Sequence, residues 1–144
     1  MSLDASYTRL APLYDAVVAA GVPHRPGIIE MLDFLQARGI PRAVATSTRR
    51  PLALKKLEAA GLLPRFDAIC TSSDVEHPKP APDIYLLAAA SLGVDPAQCL
   101  VLEDSPTGVR AALAAGMHPI QIPDLLAPDA AVRALGHTIL PSLD

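Results

Sequence analysis

"VLEDSPTGVRAALAAG", residues 101–116, sets an apolar strand, an acidic pair and a helix in direct succession. The strand begins two residues earlier, as "CLVLE" (99–103), and is apolar until its last residue, as a strand covered on both faces is. Ser105 suits the N-cap of the helix that follows, Pro106 its first position and Gly116 its stop. Between them stand Glu103 and Asp104. Adjacent carboxylates repel each other and are costly to desolvate, so one reading is a solvated turn. The other is that they hold a positive charge, most simply a metal ion.

The same alternation runs outward from this stretch. "RAVAT" (42–46), "FDAIC" (66–70) and "HPIQIP" (118–123) are further strand candidates. Between them, "RPLALKKLEAAG" (50–61) and "APDIYLLAAASLG" (81–93) carry helical spacing and end in glycine. Repeated β-α-β units with uniformly apolar strands predict an α/β fold, a Rossmann-like parallel sheet with helices on both faces. Ligands in such sheets bind at the carboxyl ends of the strands. Residues 1–40 read differently, as two helices, "YTRLAPLYDAVVAAG" (7–21) and "PGIIEMLDFLQARG" (26–39). Their acids, Asp15, Glu30 and Asp33, are expected on solvated faces.

Composition narrows the function classes. The 144 residues suit one domain, and a hydrophobic fraction of 51% suits a packed core rather than disorder. A net charge of -3 without a run of Lys or Arg gives no support to nucleic-acid or anionic-membrane binding. Charges and prolines interrupt every apolar stretch before it reaches the length of a membrane span. No N-terminal segment reads as a secretory signal, and the expected compartment is the cytoplasm. Cys70 and Cys99 are expected as reduced core residues. His24, His77, His118 and His137 lack ligand spacing, and Tyr85 reads as helix packing.

Three polar features fall at the carboxyl ends of the expected strands. In "TSTR" (46–49), Thr46 and Ser47 offer hydroxyls and backbone N–H groups before a helix, which suits an anion or ordinary capping by Ser47 or Thr48. In "EHPKPAPD" (76–83), Lys79 lies between two prolines that fix where its ammonium points. That suits phosphate or a developing anion, although a loop lysine is usually only solvated. Glu103 and Asp104 are hard oxygen ligands of the kind Mg²⁺ takes. Together the three suit a phosphate held against a magnesium ion.

On these residues the chain resembles the haloacid dehalogenase-like hydrolase superfamily, in its phosphatase and phosphoglucomutase-like branch. The strand ending in Thr46 resembles the family's second motif, whose hydroxyl binds the transferring phosphoryl group. "KPAPDIY" (79–85) resembles the third, with Lys79 as its lysine, and "VLEDSPTGVRAALAAGM" (101–117) resembles the fourth. The resemblance implies Thr46 and Lys79 as catalytic residues, and Thr46, Ser47 and Lys79 as the phosphate site. It implies Asp104, assisted by Glu103, as ligands of Mg²⁺. Pro78 stands where the family commonly has glycine.

The family's D-x-D-G-T segment, which supplies the attacking and proton-transferring aspartates, has no counterpart here. Residues 1–22 resemble a remnant of the mobile cap, its last helix and a linker, with residues 23–144 the core. The central strand of the sheet and most of the cap are expected to be missing. An N-terminal piece lost before the leader-like Met1-Ser2-Leu3 would account for that. A missing central strand leaves buried backbone groups unpaired at about 1–3 kcal/mol each, and an open sheet would invite a homodimer. Mg²⁺ binding is expected to be weakened by the lost ligands.

The expected function is that of a Mg²⁺-dependent phosphatase or phosphomutase acting on a small phosphorylated metabolite, with little or no activity in this chain. The alternative is a non-catalytic phosphate-binding or dimerising module of the same fold. A receiver-type signalling domain would place its acids first and its lysine last, the reverse of the order here. A nucleotide-binding oxidoreductase lacks support, because no G-x-G-x-x-G follows a strand.

Overall fold

A computed structural model describes residues 13–20, 28–121 and 138–139. In chain order the elements are β1 (Ala16–Ala20), α1 (Ile28–Ala37), β2 (Arg42–Ala45), α2 (Arg50–Ala59), β3 (Ala68–Cys70), α3 (Asp83–Leu92), β4 (Cys99–Glu103), α4 (Pro106–Ala114), β5 (His118–Gln121) and β6 (Thr138–Ile139). The strands form one parallel sheet in the order β3-β2-β1-β4-β5-β6. The α/β reading therefore holds, and β4 has the expected bounds. Ser105 caps α4 by accepting from the Gly108 N–H at 3.0 Å, and Gly93 closes α3 at φ +69, a left-handed conformation that glycine adopts without strain.

The expectation for the front of the chain is corrected. "AVVAA" is not part of a helix spanning 7–21. It is a strand, and it occupies the central position between β2 and β4. Val17, Val18 and Ala19 pair with Arg42, Ala43 and Val44, while Ala16 through Ala20 pair with Cys99 through Glu103. A run of five apolar residues fits a buried helix segment and a buried strand equally by periodicity. Two flanking strands decide between them, because they supply partners for backbone groups on both sides. Backbone bonds from Asp15 N to Gln98 O (2.8 Å) and from Val17 N to Pro41 O (3.0 Å) fix the register. The open central position, and the dimer that was to fill it, lose their premise. The expected boundary after residue 22 falls behind β1, so the core begins earlier than expected. Residues 1–12, including Met1-Ser2-Leu3, lie outside the described residues, as do His24 and His137.

Alternation along the strands divides the core into two layers. Val17, Ala19, Val44, Leu100, Leu102 and Ile120 face α1 and α2, where Met31, Leu32, Leu35 and Leu57 cover them. Ala16, Val18, Ala20, Ala43, Ala45 and Val101 face α3 and α4, which answer with Ile84, Tyr85, Ala88, Ala89, Ala111 and Ala112. The second layer is built largely of alanine, so its helices pack close to the strands. Cys70 and Cys99 are free and buried in that layer, as expected. Burial raises both thiol pKa values, that of Cys99 to about 11. No helix among the described residues is long and apolar enough to cross a membrane.

Candidate phosphoryl site

The residues singled out in the sequence lie where β2 and β4 end and in the loop before α3. Glu103 is the last residue of β4 and shares the strand face of Val101, toward α3 and α4. Its side chain is 2% exposed. Oε1 accepts from the N–H groups of Asp104 (3.0 Å) and Ser105 (3.3 Å) and from Ser105 Oγ (3.3 Å). Oε2 accepts from Lys79 Nζ at 3.1 Å and from the Tyr85 hydroxyl. Five donors thus satisfy a carboxylate held almost entirely away from water. Gly108, one turn into α4, provides the space, since a Cβ there would lie 1.8 Å from Oε2.

Lys79 is the counter-charge, and its side chain is 8% exposed. Besides Glu103, the ammonium donates to the Ala45 carbonyl at 3.3 Å and lies 5.1 Å from the centroid of the Tyr85 ring. The expectation of a positioned rather than solvated lysine holds. Tyr85 is packed within α3 as expected, and its hydroxyl pKa is pushed well above the ordinary value, first by burial and then by Glu103 and Asp104.

Thr46 follows Ala45 directly, which places it beside the same carbonyl that Lys79 grips. Its N–H donates to Cys70 O at 3.0 Å, and its Oγ1 accepts from the Thr48 N–H at 3.1 Å. The capping alternative is not what the structure shows. The residue at the N-cap of α2 is Arg49, and it makes no side-chain capping bond. Ser47 is exposed. The structure therefore brings Lys79 and Glu103 into contact, sets Asp104 next to Glu103 and Thr46 next to Ala45, whose carbonyl Lys79 grips, and leaves Ser47 exposed.

A second cluster holds the Thr46–Thr48 turn from outside. Arg50, the first residue of α2, grips Asp74 through Nε (3.1 Å) and Nη2 (2.6 Å), and Nη2 also reaches Ile69 O at 2.7 Å. Its backbone N–H donates to Ser73 Oγ at 3.0 Å, and the Ser72 N–H reaches Thr48 O at 3.3 Å. The Arg50 hydrogen bond, followed by those from Thr71, lowers the Asp74 pKa to about 2. His77 pairs with Asp83 at 3.0 Å on the surface of the loop that carries Lys79.

These residues do not fit Mg²⁺. Both oxygens of Glu103 face hydrogen-bond donors, with an ammonium among those on Oε2. That leaves Asp104 as the candidate carboxylate. Among the described residues no group of three or more His, Cys, Asp or Glu converges as a metal site would. Level with Glu103 on the neighbouring strand stands Ala20, which brings a methyl group instead of a carboxylate.

Sequence reasoning missed the inward role of Glu103, the space at Gly108, the Tyr85 hydroxyl bond and the Arg50–Asp74 clamp. The strand alternation of β4 was a usable signal for the first, since Val101 and Glu103 share a face. The other three depend on contacts between elements.

Comparison with known proteins supplies the wider setting. The family profile described as haloacid dehalogenase-like hydrolase matches residues 3–116. Hexitol phosphatase A from Escherichia coli is 42% identical over 118 residues, which are 82% of this chain and 54% of that protein. Fructose-1-phosphate phosphatase YqaB, from the same organism, is 44% identical over 82 residues, 57% of this chain and 44% of its own length. The structure of CbbY from Rhodobacter sphaeroides in complex with phosphate superposes with a TM-score of 0.74 at 36% identity, covering 83% of this chain and 54% of that one. The chain spans about half the length of the curated relatives it matches.

Proposed function

The chain belongs to the haloacid dehalogenase-like hydrolase family, and from that premise we propose that it is the phosphoryl-binding core of a phosphatase or phosphomutase acting on a small phosphorylated metabolite, with negligible turnover of its own. The substrate class that the relatives' names support is a phosphorylated sugar or polyol. The parent reaction would use Mg²⁺, for which the described residues gather no group of three or more ligands.

In this reading the Thr46 hydroxyl and the Ser47 N–H receive the phosphoryl oxygens at the N-terminal end of α2, where helix N–H groups favour an anion. Lys79, fixed by Glu103 and by Ala45 O, contributes positive charge without having to be ordered when the ligand arrives. Asp104 adjoins them at the end of β4. The observation that carries low turnover is β1. Its final residue, Ala20, pairs with Glu103, and residues 16–27 contain neither Asp nor Glu. β1 and the residues just after it therefore bring no carboxylate of their own, and an attack on phosphorus through a covalent aspartyl intermediate has no nucleophile from that segment.

The test combines binding and turnover on one purified sample of verified mass. Inorganic phosphate and a hexitol phosphate should shift the amide signals of Thr46–Thr48 saturably, while hydrolysis of p-nitrophenyl phosphate with Mg²⁺ stays at background. Hydrolysis at an ordinary phosphatase rate that disappears in Asp104→Ala would overturn the reading.

A further inference from the structure

In a phosphoryl site built around an acidic pair, the carboxylates ordinarily need a cation to offset them when an anionic ligand binds. Here one of them already has its cation. We propose that the Lys79 ammonium occupies the position a divalent ion would take against Glu103, excludes such an ion from that carboxylate, and makes phosphate binding by this chain independent of divalent cations. The phosphate clause rests on the functional reading above, whereas the exclusion of a divalent ion from Glu103 stands on its own geometry.

Several observations bear on it. Nζ lies 3.1 Å from Oε2, and the two side chains are 8% and 2% exposed, so neither charge is exchanged for solvent. An ion ligated by Oε2 would have to displace the ammonium or sit directly beside it. Displacement is opposed by a second anchor at Ala45 O, and Pro78 and Pro80 stiffen the loop on either side of Lys79. The carboxylate cannot swing to a different opening. Oε1 is held by Asp104 and Ser105, and the backbone of Gly108 packs against Oε2. Across the strand, Ala20 supplies no further acid.

Two of the ammonium's three N–H groups go to Glu103 Oε2 and Ala45 O. Because Ala45 immediately precedes Thr46, the ammonium belongs to the same patch as the hydroxyl turn, where a phosphoryl oxygen would meet both.

Two titrations test this on the intact chain, followed by amide spectra. Mn²⁺ alone should leave the Asp104 and Ser105 signals unbroadened up to about 1 mM. Saturable broadening of both with a midpoint below that concentration overturns the exclusion. Inorganic phosphate should bind with the same Kd, within about threefold, in EDTA and in excess Mg²⁺. A larger tightening by Mg²⁺ overturns the independence. Failure of phosphate to bind in both buffers would instead defeat the functional reading and the phosphate clause, leaving the Mn²⁺ titration to decide the exclusion. In Lys79→Met, if melting shows it folded, Mn²⁺ affinity at Asp104 should rise at least about tenfold. A folded variant with no gain would remove Lys79 from its assigned role.

Discussion

At Gly108 an added methyl group would fall 1.8 Å from Glu103 Oε2 and 2.0 Å from its Cδ, so the carboxylate and the helix cannot both keep their places. Moving Glu103 breaks its bond to Lys79 and leaves two charges unpaired in a site closed to water. Gly108→Ala is therefore expected to lower stability by about 3–5 kcal/mol, the range for breaking a buried ion pair. Tyr85→Phe removes a single donor from a carboxylate that keeps four others, and should cost about 1 kcal/mol. Urea unfolding of the two variants beside the parent chain checks both values. Near-equal losses would mean that Glu103 relocates without cost, contrary to its five-donor environment. The adjacency of Glu103 and Asp104 was visible in the sequence, but not their opposite fates. One ends a strand and turns into the sheet's alanine layer, and the other begins the turn outside it.

Among the elements, the join between β2 and α2 is the one most exposed to pH. Arg50 and Asp74 tie α2 to the turn after β3, and the ionised Asp74 is what they share. Its folded pKa, about 2, lies below the ordinary value of about 3.9. The pair therefore adds stability that is fully present above about pH 4 and is lost as pH falls through about 2. Since both side chains are partly open to solvent, screening limits the contribution to about 1 kcal/mol. Asp74→Asn should be less stable than the parent at pH 5, and the difference should shrink toward pH 2. A difference that stays constant over that range would show that the carboxylate's charge is not what holds the turn.

Elements with their own punctuation were the legible ones. α4 begins at Ser105-Pro106 and gives way before Gly116, and β4 is bounded by Gln98 and the acidic pair, so local chemistry sets both. β1 has no such marks. "AVVAA" continues a helix-like stretch, and only β2 and β4, far along the chain, make it a strand. The clamp and the Gly108 contact were hidden for the same reason, because residue pairs such as Arg50 with Asp74 are set by topology.

For the molecule as a whole, β1 is the test of the sheet. It is buried from end to end and paired on both sides. The amides of Val17, Val18 and Ala19 should therefore exchange with solvent only on global unfolding, as slowly as those of β4. Exchange within seconds, with β4 still protected, would show that the central strand opens separately. The two thiols give an independent reading. Cys70 and Cys99 are buried and their pKa values are raised, so at pH 7.5 a disulfide reagent should modify both at the rate of that same unfolding. Rapid modification of either in the native protein would contradict the packing of the alanine-rich layer.

The pairing of β1 with β4 also sets an order of events in time. Ala16 must find Cys99, 83 positions later (99 minus 16), and Ala20 must find Glu103 at the same remove. Loops of that length close slowly compared with local helices. On the ribosome, β2 and β3 emerge while the neighbour that will complete the sheet is still unmade. Until residue 103 has cleared the exit tunnel, the nascent chain carries β1 with at most one flank covered, a row of unpaired amides and carbonyls open to any passing strand. Chaperone capture during synthesis would act at that stage, and a pause in translation before residue 99 would lengthen it.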